Sequence, residues 1–115
     1  PCAVNQVESH PLLPQRSLLA YCREHGIIVT AYSPLGSPDN VRARKESDPS
    51  LLGNQRIAAI GARYGKSAAQ VGLRYIADTG ATFTTQTRNP SHFKEDINIF
   101  DFSLTKEEVA QLAAF

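Results

Sequence analysis

The chain has 115 residues, 42% of them hydrophobic, and a formal net charge of +1. That length suits one small domain with a modest core, and the composition argues against disorder. The balanced charge gives no sign of nucleic-acid or membrane-surface binding, and no apolar run approaches the length of a bilayer span.

Residues 3 to 8, AVNQVE, read as a strand. Pro14 suits the first turn of a following helix, because its missing N–H would be unpaired there anyway. Leu18, Leu19 and Cys22 fall at helical spacing, and Gly26 is the expected stop. Residues 27 to 32, IIVTAY, are apolar on both alternations, which predicts a strand covered on both faces. A polar stretch from 36 to 50 follows and exceeds the usual connection length. Its Arg42, Arg44 and Lys45 fit either a solvated loop or one that closes over an anionic ligand.

Ile57, Ile60 and Tyr64 mark a short helix ending at Gly65. Ser67 and Gln70 then have capping-box spacing and open a helix with Val71, Tyr75 and Ile76 on its apolar face, ended by Gly80. ATFTT, 81 to 85, reads as a third strand. Asn89 and Pro90 fit the N-cap and first position of a further helix whose Phe93 and Ile97 are expected to face inward. Thr105 and Glu108 form a second capping box, with Leu104 and Val109 as its hydrophobic staple.

Strands alternating with helices predict an α/β fold of parallel βα units with helices outside. About three strands leave two open edges, whereas a closed (β/α)8 barrel needs roughly 250 residues. The expectation is a partial TIM barrel spanning 1–115 without an internal boundary. The chain starts without Met, in an apolar stretch with no signal-peptide pattern, as expected of a chain cut from something longer. Cys2 and Cys22 are too few for a disulfide framework, which favours a reducing, cytoplasmic setting. No metal-ligand spacing, Ser-His-Asp arrangement or Gly-rich phosphate loop is present.

Parallel βα folds bind ligands at the carboxyl ends of their strands. Those ends here are Asn5 and Gln6, the run Tyr32 to Ser37, and TTQT, 84 to 87. Gln6 carries donors and an acceptor for a flat amide, and Tyr32 offers a ring for stacking. Ser33, Ser37 and Asp39 offer hydrogen bonds along an extended ligand. The plainer alternative is that strand ends are wet in any fold and water satisfies these groups. His10, before Pro11, reads as a turn residue, and His25 as favouring a helix dipole or facing solvent.

The run VNQVESHPLLPQRSLLAYCREHGIIVTAYSPLGSPD, then DPSLL, RIAAI, SAAQVGLRY and FDFSLTKEEVAQL, resembles the C-terminal part of an aldo-keto reductase. The likeness covers nearly the whole chain and matches barrel units six to eight plus the final helix. It implies NADP(H) as cofactor and the reduction of carbonyls to alcohols by hydride transfer. It also gives the strand-end residues roles. Gln6 stands where the family binds the nicotinamide carboxamide, and Tyr32 where an aromatic stacks on the nicotinamide ring. Ser33, Leu35, Ser37 and Asp39 match the loop along the pyrophosphate, and 36–50 the flap that holds the cofactor.

Two departures follow from the same resemblance. Gln86 replaces a Lys, Thr87 keeps a hydroxyl, and His92 replaces an Arg around the extra phosphate of NADPH. Glu95 keeps the adenine-side carboxylate, while Asp96 stands where Asn is usual. Weakened NADPH binding, or a shift toward NAD(H), is the expectation. Further, the family's catalytic Asp, Tyr, Lys and His lie in its N-terminal half, and none of Tyr21, Tyr32, Tyr64 or Tyr75 matches that Tyr. The chain alone is therefore expected to be inactive, its partner being either the remaining barrel half or a second copy meeting it through open sheet edges. The alternative reading is a non-catalytic half-barrel that self-associates and keeps some nucleotide affinity.

Overall fold

The computed structural model describes residues 2–36 and 50–114. Of the expected loop at 36–50, residues 37–49, with Ser37 and Asp39, lie outside the described residues. The elements are β1 (Val4–Glu8), α1 (Arg16–Glu24), β2 (Ile28–Tyr32), α2 (Gln55–Tyr64), α3 (Ala68–Asp78), β3 (Thr82–Phe83), α4 (Pro90–Ile97) and α5 (Lys106–Leu112). The strands lie in the order β1-β2-β3, both pairs parallel. β1 pairs with β2 from Val4↔Ile28 to Glu8↔Tyr32, and Thr30↔Thr82 continues the ladder into β3. The sheet is open, and the architecture is a partial TIM barrel with its helices outside.

Successive strand residues point to opposite faces, and the helices cover only one of them. On the covered face Val29 and Ala31 join Cys22 of α1, Ile57 and Ile60 of α2, Val71, Tyr75 and Ile76 of α3, and Leu112 of α5 in one buried cluster. Each buried Val, Ile or Leu among them contributes about 1.5–3 kcal/mol. On the other face Val4 and Ile28 remain 51% and 53% exposed. The expectation of β2 covered on both faces is corrected accordingly. Ile28 is apolar like Val29, but among the described residues no layer lies over it.

The helix boundaries follow their caps. Asn54 accepts from Arg56 N and Ile57 N at the start of α2, and Gly65 ends it in the left-handed region. Ser67 with Gln70, and Thr105 with Glu108, make complete capping boxes for α3 and α5. Gly61 lets the chain fold back between α2 and α3, because a Cβ there would lie 2.3 Å from the Lys66 carbonyl oxygen. The start of α1 differs from expectation. Pro14 precedes the helix, and Gln15 sits left-handed at its N-cap with no side-chain capping bond. Its amide instead donates to the Glu8 carbonyl, 3.0 Å away, tying the helix entry to the end of β1. β3 is shorter than 81–85, since pairing ends once Thr84 N has donated to the Ala31 carbonyl.

Glu108 also clamps α5 to α2. It accepts from the Tyr64 hydroxyl at 2.6 Å and from Arg63 at 3.1 Å. Burial works to raise its carboxyl, but Tyr64, the Thr105 N–H and Arg63 outweigh burial and hold it below the usual carboxylate range. The same bond pushes the Tyr64 phenol up.

Candidate functional site

The open face of the sheet reaches its polar end at the carboxyl termini of the strands. Register places Gln6 beside Thr30 and Glu8 beside Tyr32, so all four share that face. Gln6 is exposed, and Tyr32 is 44% exposed. Thr30 and Thr82 join their hydroxyls at 2.8 Å across β2 and β3. An amide and an aromatic ring thus sit one step apart on a common surface, which can pair with and stack against a flat heterocycle.

After Tyr32 the chain turns sharply. Ser33 adopts a positive φ of 47°, and its carbonyl accepts from Gly36 N at 2.8 Å. Leu35 is directed into the protein rather than toward the open face. A Cβ on Gly72 would lie 3.1 Å from its Cδ2, so α3 needs glycine there to seat the turn. The turn itself rests on His10, whose ring atoms lie 3.8–3.9 Å from where a Gly36 Cβ would be.

His10 is more than the turn residue the sequence implied. It is buried, and its Nε2 bonds the Glu8 carboxylate at 3.1 Å. Its Nδ1 is buried with no partner among the described residues. Glu8 and His10 were not singled out by sequence reasoning as neighbours of the site. The available signal was the two-residue period, which puts Glu8 on the face of Gln6.

The second group of candidate residues meets at the corner between β3 and α4. Thr87 Oγ1 and His92 Nδ1 are joined by a 3.3 Å hydrogen bond, and Asn89 N donates to the same hydroxyl at 3.1 Å. Glu95 accepts from Ser67 Oγ at 3.4 Å, and its carbonyl accepts from Gln70 Nε2 at 3.0 Å. Asp96 is half-buried, and burial pushes its carboxyl up while His92 pulls it back and Glu95 adds to the rise. Gln86 is exposed. Thr87, His92, Glu95 and Asp96 therefore lie together, on α4 and the loop leading into it.

α4 corrects one expectation. Phe93 and Ile97 face outward, 54% and 73% exposed, and the helix buries no side chain. It is held instead by polar bonds from α3 and the turn before it, as Gln70 and Lys66 both donate to the Asn98 carbonyl. Two clefts lie elsewhere. One of about 240 Å³ sits near Gly26 and Gly80, beyond the amino ends of β2 and β3, and one of about 410 Å³ between Arg56, Arg63 and Gln111. Among the described residues no group of three or more His, Cys, Asp or Glu could hold a metal, and no helix is long and apolar enough to cross a membrane.

Parallel βα units with polar side chains gathered at their carboxyl ends define a segment of a (β/α)8-barrel protein. Comparison with known proteins narrows the class. The Aldo/keto reductase family model matches residues 1–115, and the chain belongs to that family. It is 44% identical to aldo-keto reductase family 1 member A1 of Xenopus tropicalis over 112 residues, 97% of this chain and 34% of the relative. Likeness to member D1 of Oryctolagus cuniculus is 43%, over 96% of this chain and 34% of that protein. A crystal structure of an aldo-keto reductase complexed with NADPH superposes with a TM-score of 0.90 and 41% identity, covering all of this chain and 35% of the other. The chain thus spans about a third of the length of the relatives it matches.

Proposed function

We propose that this chain forms the cofactor-binding wall of an NADP(H)-dependent carbonyl reductase. The observation that carries this reading is the placement of Gln6 and Tyr32 on the same open face toward the strand tips, in a chain 41% identical to an aldo-keto reductase complexed with NADPH. In this reading Gln6 holds the nicotinamide carboxamide and Tyr32 stacks on the ring. Ser33, Leu35, Ser37 and Asp39 follow the pyrophosphate. Since the Leu35 side chain packs toward Gly72, its contribution comes from the backbone. Gln86, Thr87 and His92 meet the phosphate end, with Glu95 and Asp96 on the adenine side. The residues present fit the cofactor, because an exposed amide and an exposed ring lie together at the carboxyl ends of β1 and β2, and a hydroxyl–imidazole pair lies between β3 and α4.

The bound cofactor would supply hydride to a carbonyl carbon, while this chain binds and orients it. A proton donor is also needed, and in this reading it comes from the other barrel units. Tyr64 is bonded to Glu108 among the outer helices, Tyr75 is buried, and both phenols are pushed up, the wrong direction for an acid. Tyr21 stacks on His25 at the end of α1. Those other units would also cover the open face and both sheet edges. Cys2 and Cys22 are free thiols, in keeping with the cytoplasmic setting proposed with this reading.

Gln86 and His92 replace two obligate cations, each worth about 1.5–3 kcal/mol against a phosphate. Reduced NADPH preference, or a shift toward NAD(H), belongs to the proposal. The test is titration of NADPH and NADH into the full-length protein by fluorescence. Binding of both within about tenfold of each other supports it. Tight NADPH binding with NADH excluded contradicts the shift, and no binding of either contradicts the function.

A second reading rests on Val4 and Ile28, more than half exposed on the open face. There a second copy of the chain covers that face, giving a self-associating module with some nucleotide affinity and no catalysis. Solution mass decides this point, since a monomer that binds cofactor excludes it.

A further inference from the structure

The turn that leaves β2 holds a conformation its own sequence does not favour. Ser33 sits at φ 47° and Gly36 at φ 72°, both in the left-handed region, and the bond from Gly36 N to the Ser33 carbonyl closes the turn. A serine with that φ is strained, and such a residue persists only where its surroundings over-determine it. On the core side the support is plain. Pro34 is buried, and Leu35 packs against the core cluster beside Gly72. On the other side stands His10.

His10 reaches the turn from the loop after β1. A Cβ on Gly36 would lie 3.8 Å from its Cε1 and 3.9 Å from both Nδ1 and Nε2. Such near-equal distances mean that the ring lies face-on beneath Gly36, like a plate. The plate is fixed at both ends. At the backbone, His10 N donates to Leu13 O at 3.2 Å and Leu13 N donates to His10 O at 2.8 Å. At the ring, Nε2 bonds the Glu8 carboxylate at 3.1 Å, which sets the rotation of the plate.

Packing alone does not call for this residue. Nδ1 is buried without a partner among the described residues, and burying an unpaired polar atom destabilises a fold. A phenyl ring would fill the same space without that penalty. What a phenyl lacks is the bond to Glu8 that orients the ring.

We infer that the Glu8–His10 pair is a positioning device, holding the Ser33–Gly36 turn in its binding geometry before any cofactor arrives. Both residues act through the turn rather than by contact with the cofactor. The turn follows Tyr32 directly, so its backbone and the exposed ring are held together. This rests on the reading that the turn runs along the pyrophosphate. That group is common to NADPH and NADH, so loss of the pair weakens both alike.

The test uses the full-length protein as wild type, His10→Phe, His10→Ala and Glu8→Ala. Hydrogen exchange without ligand reports the turn itself. Exchange of the Gly36 amide should speed up about tenfold in the His10 variants, while the amides of Val29 and Ala31 in β2 stay as in wild type. Titration should show NADPH and NADH weakened by the same factor, about fivefold to tenfold. His10→Phe should melt at or above the wild-type temperature, because the unpaired nitrogen is gone, so lost stability does not account for its weaker binding. The Glu8 side chain is 40% exposed, so Glu8→Ala applies the same test with the core untouched. It should weaken binding on its own and add less than about twofold to His10→Phe. Unchanged Gly36 exchange in His10→Phe overturns the inference. Unchanged cofactor affinity in the variants also overturns it, whatever their melting temperature, as does weakening of one cofactor alone. If wild type binds neither cofactor, the functional reading falls, and this inference with it.

Discussion

The two faces of β2 are one residue apart in sequence and opposite in environment. Val29 and Ala31 lie in the buried cluster under the helices, while Ile28 and Tyr32 stand exposed. The covered face is apolar except for Asn5, whose amide is directed at Cys22 Sγ, and it supplies packing. The open face grades from Val4 and Ile28 at the amino ends to Gln6 and Tyr32 toward the carboxyl ends, and supplies recognition. Stability and binding are thus assigned to alternate residues, and substitutions on the two faces should have separable effects.

The largest effect belongs to the covered face. Ile57→Ala should cost about 2–5 kcal/mol of stability in denaturant unfolding, with cofactor affinity of the folded fraction unchanged. A loss below about 1 kcal/mol would mean that the helix layer is not the main support.

Next comes the clamp between α2 and α5. Glu108→Gln removes a buried carboxylate bonded to Tyr64 and Arg63 and should cost about 1.5–3 kcal/mol near neutral pH. The folded carboxyl lies below its unfolded value. Its contribution is therefore full above about pH 4.3 and lost as pH falls through the lower, folded value. Melting curves of wild type and variant should converge in acid, and parallel curves would exclude the ion pair as the cause.

Tyr32→Ala carries the comparison to the open face. Cofactor affinity should fall roughly threefold to tenfold, matching an aromatic stack of about 0.5–1.5 kcal/mol. Unliganded melting should stay within a few degrees of wild type. A large stability loss with unchanged binding would reverse the assignment of the faces.

The smallest effect sharpens the corner. Burial raises the Asp96 carboxyl, so its ionised form is penalised in the fold at neutral pH, and the penalty fades as pH falls through the raised value. Asp96→Asn should stabilise by about 0.5 kcal/mol or less at neutral pH, with the gain vanishing in acid, as measured by calorimetry.

Local chemistry made much of this fold legible. Ser67, Asn89 and Thr105 cap where the sequence implied, since a cap depends on neighbours two or three residues away, whereas the Asn54 cap of α2 was not read from the sequence. Features set by distant contacts were not legible. Phe93 and Ile97 have helical apolar spacing, yet whether such a stripe is covered depends on packing that spacing does not encode. The start of α1 at Arg16, after Gln15 as N-cap rather than with Pro14 in its first turn, goes with a bond from Gln15 to Glu8, seven residues away. Of the site, Gln6 and Tyr32 could be read because polar groups interrupt apolar strands. The Thr87–His92 contact depends on how the corner folds, and the Glu8–His10 pair was hidden because a His before Pro looks like a turn.

Every functional claim for this chain depends on the carboxyl end of the sheet meeting a dinucleotide. Hydrogen exchange of the full-length protein, with and without NADPH, reports this directly. Slowed exchange is expected around Gln6, Tyr32 to Gly36 and residues 84–96, with the opposite end near Gly26 and Gly80 unaffected. Protection confined to Gly26 and Gly80, where the 240 Å³ cleft lies, would contradict the account.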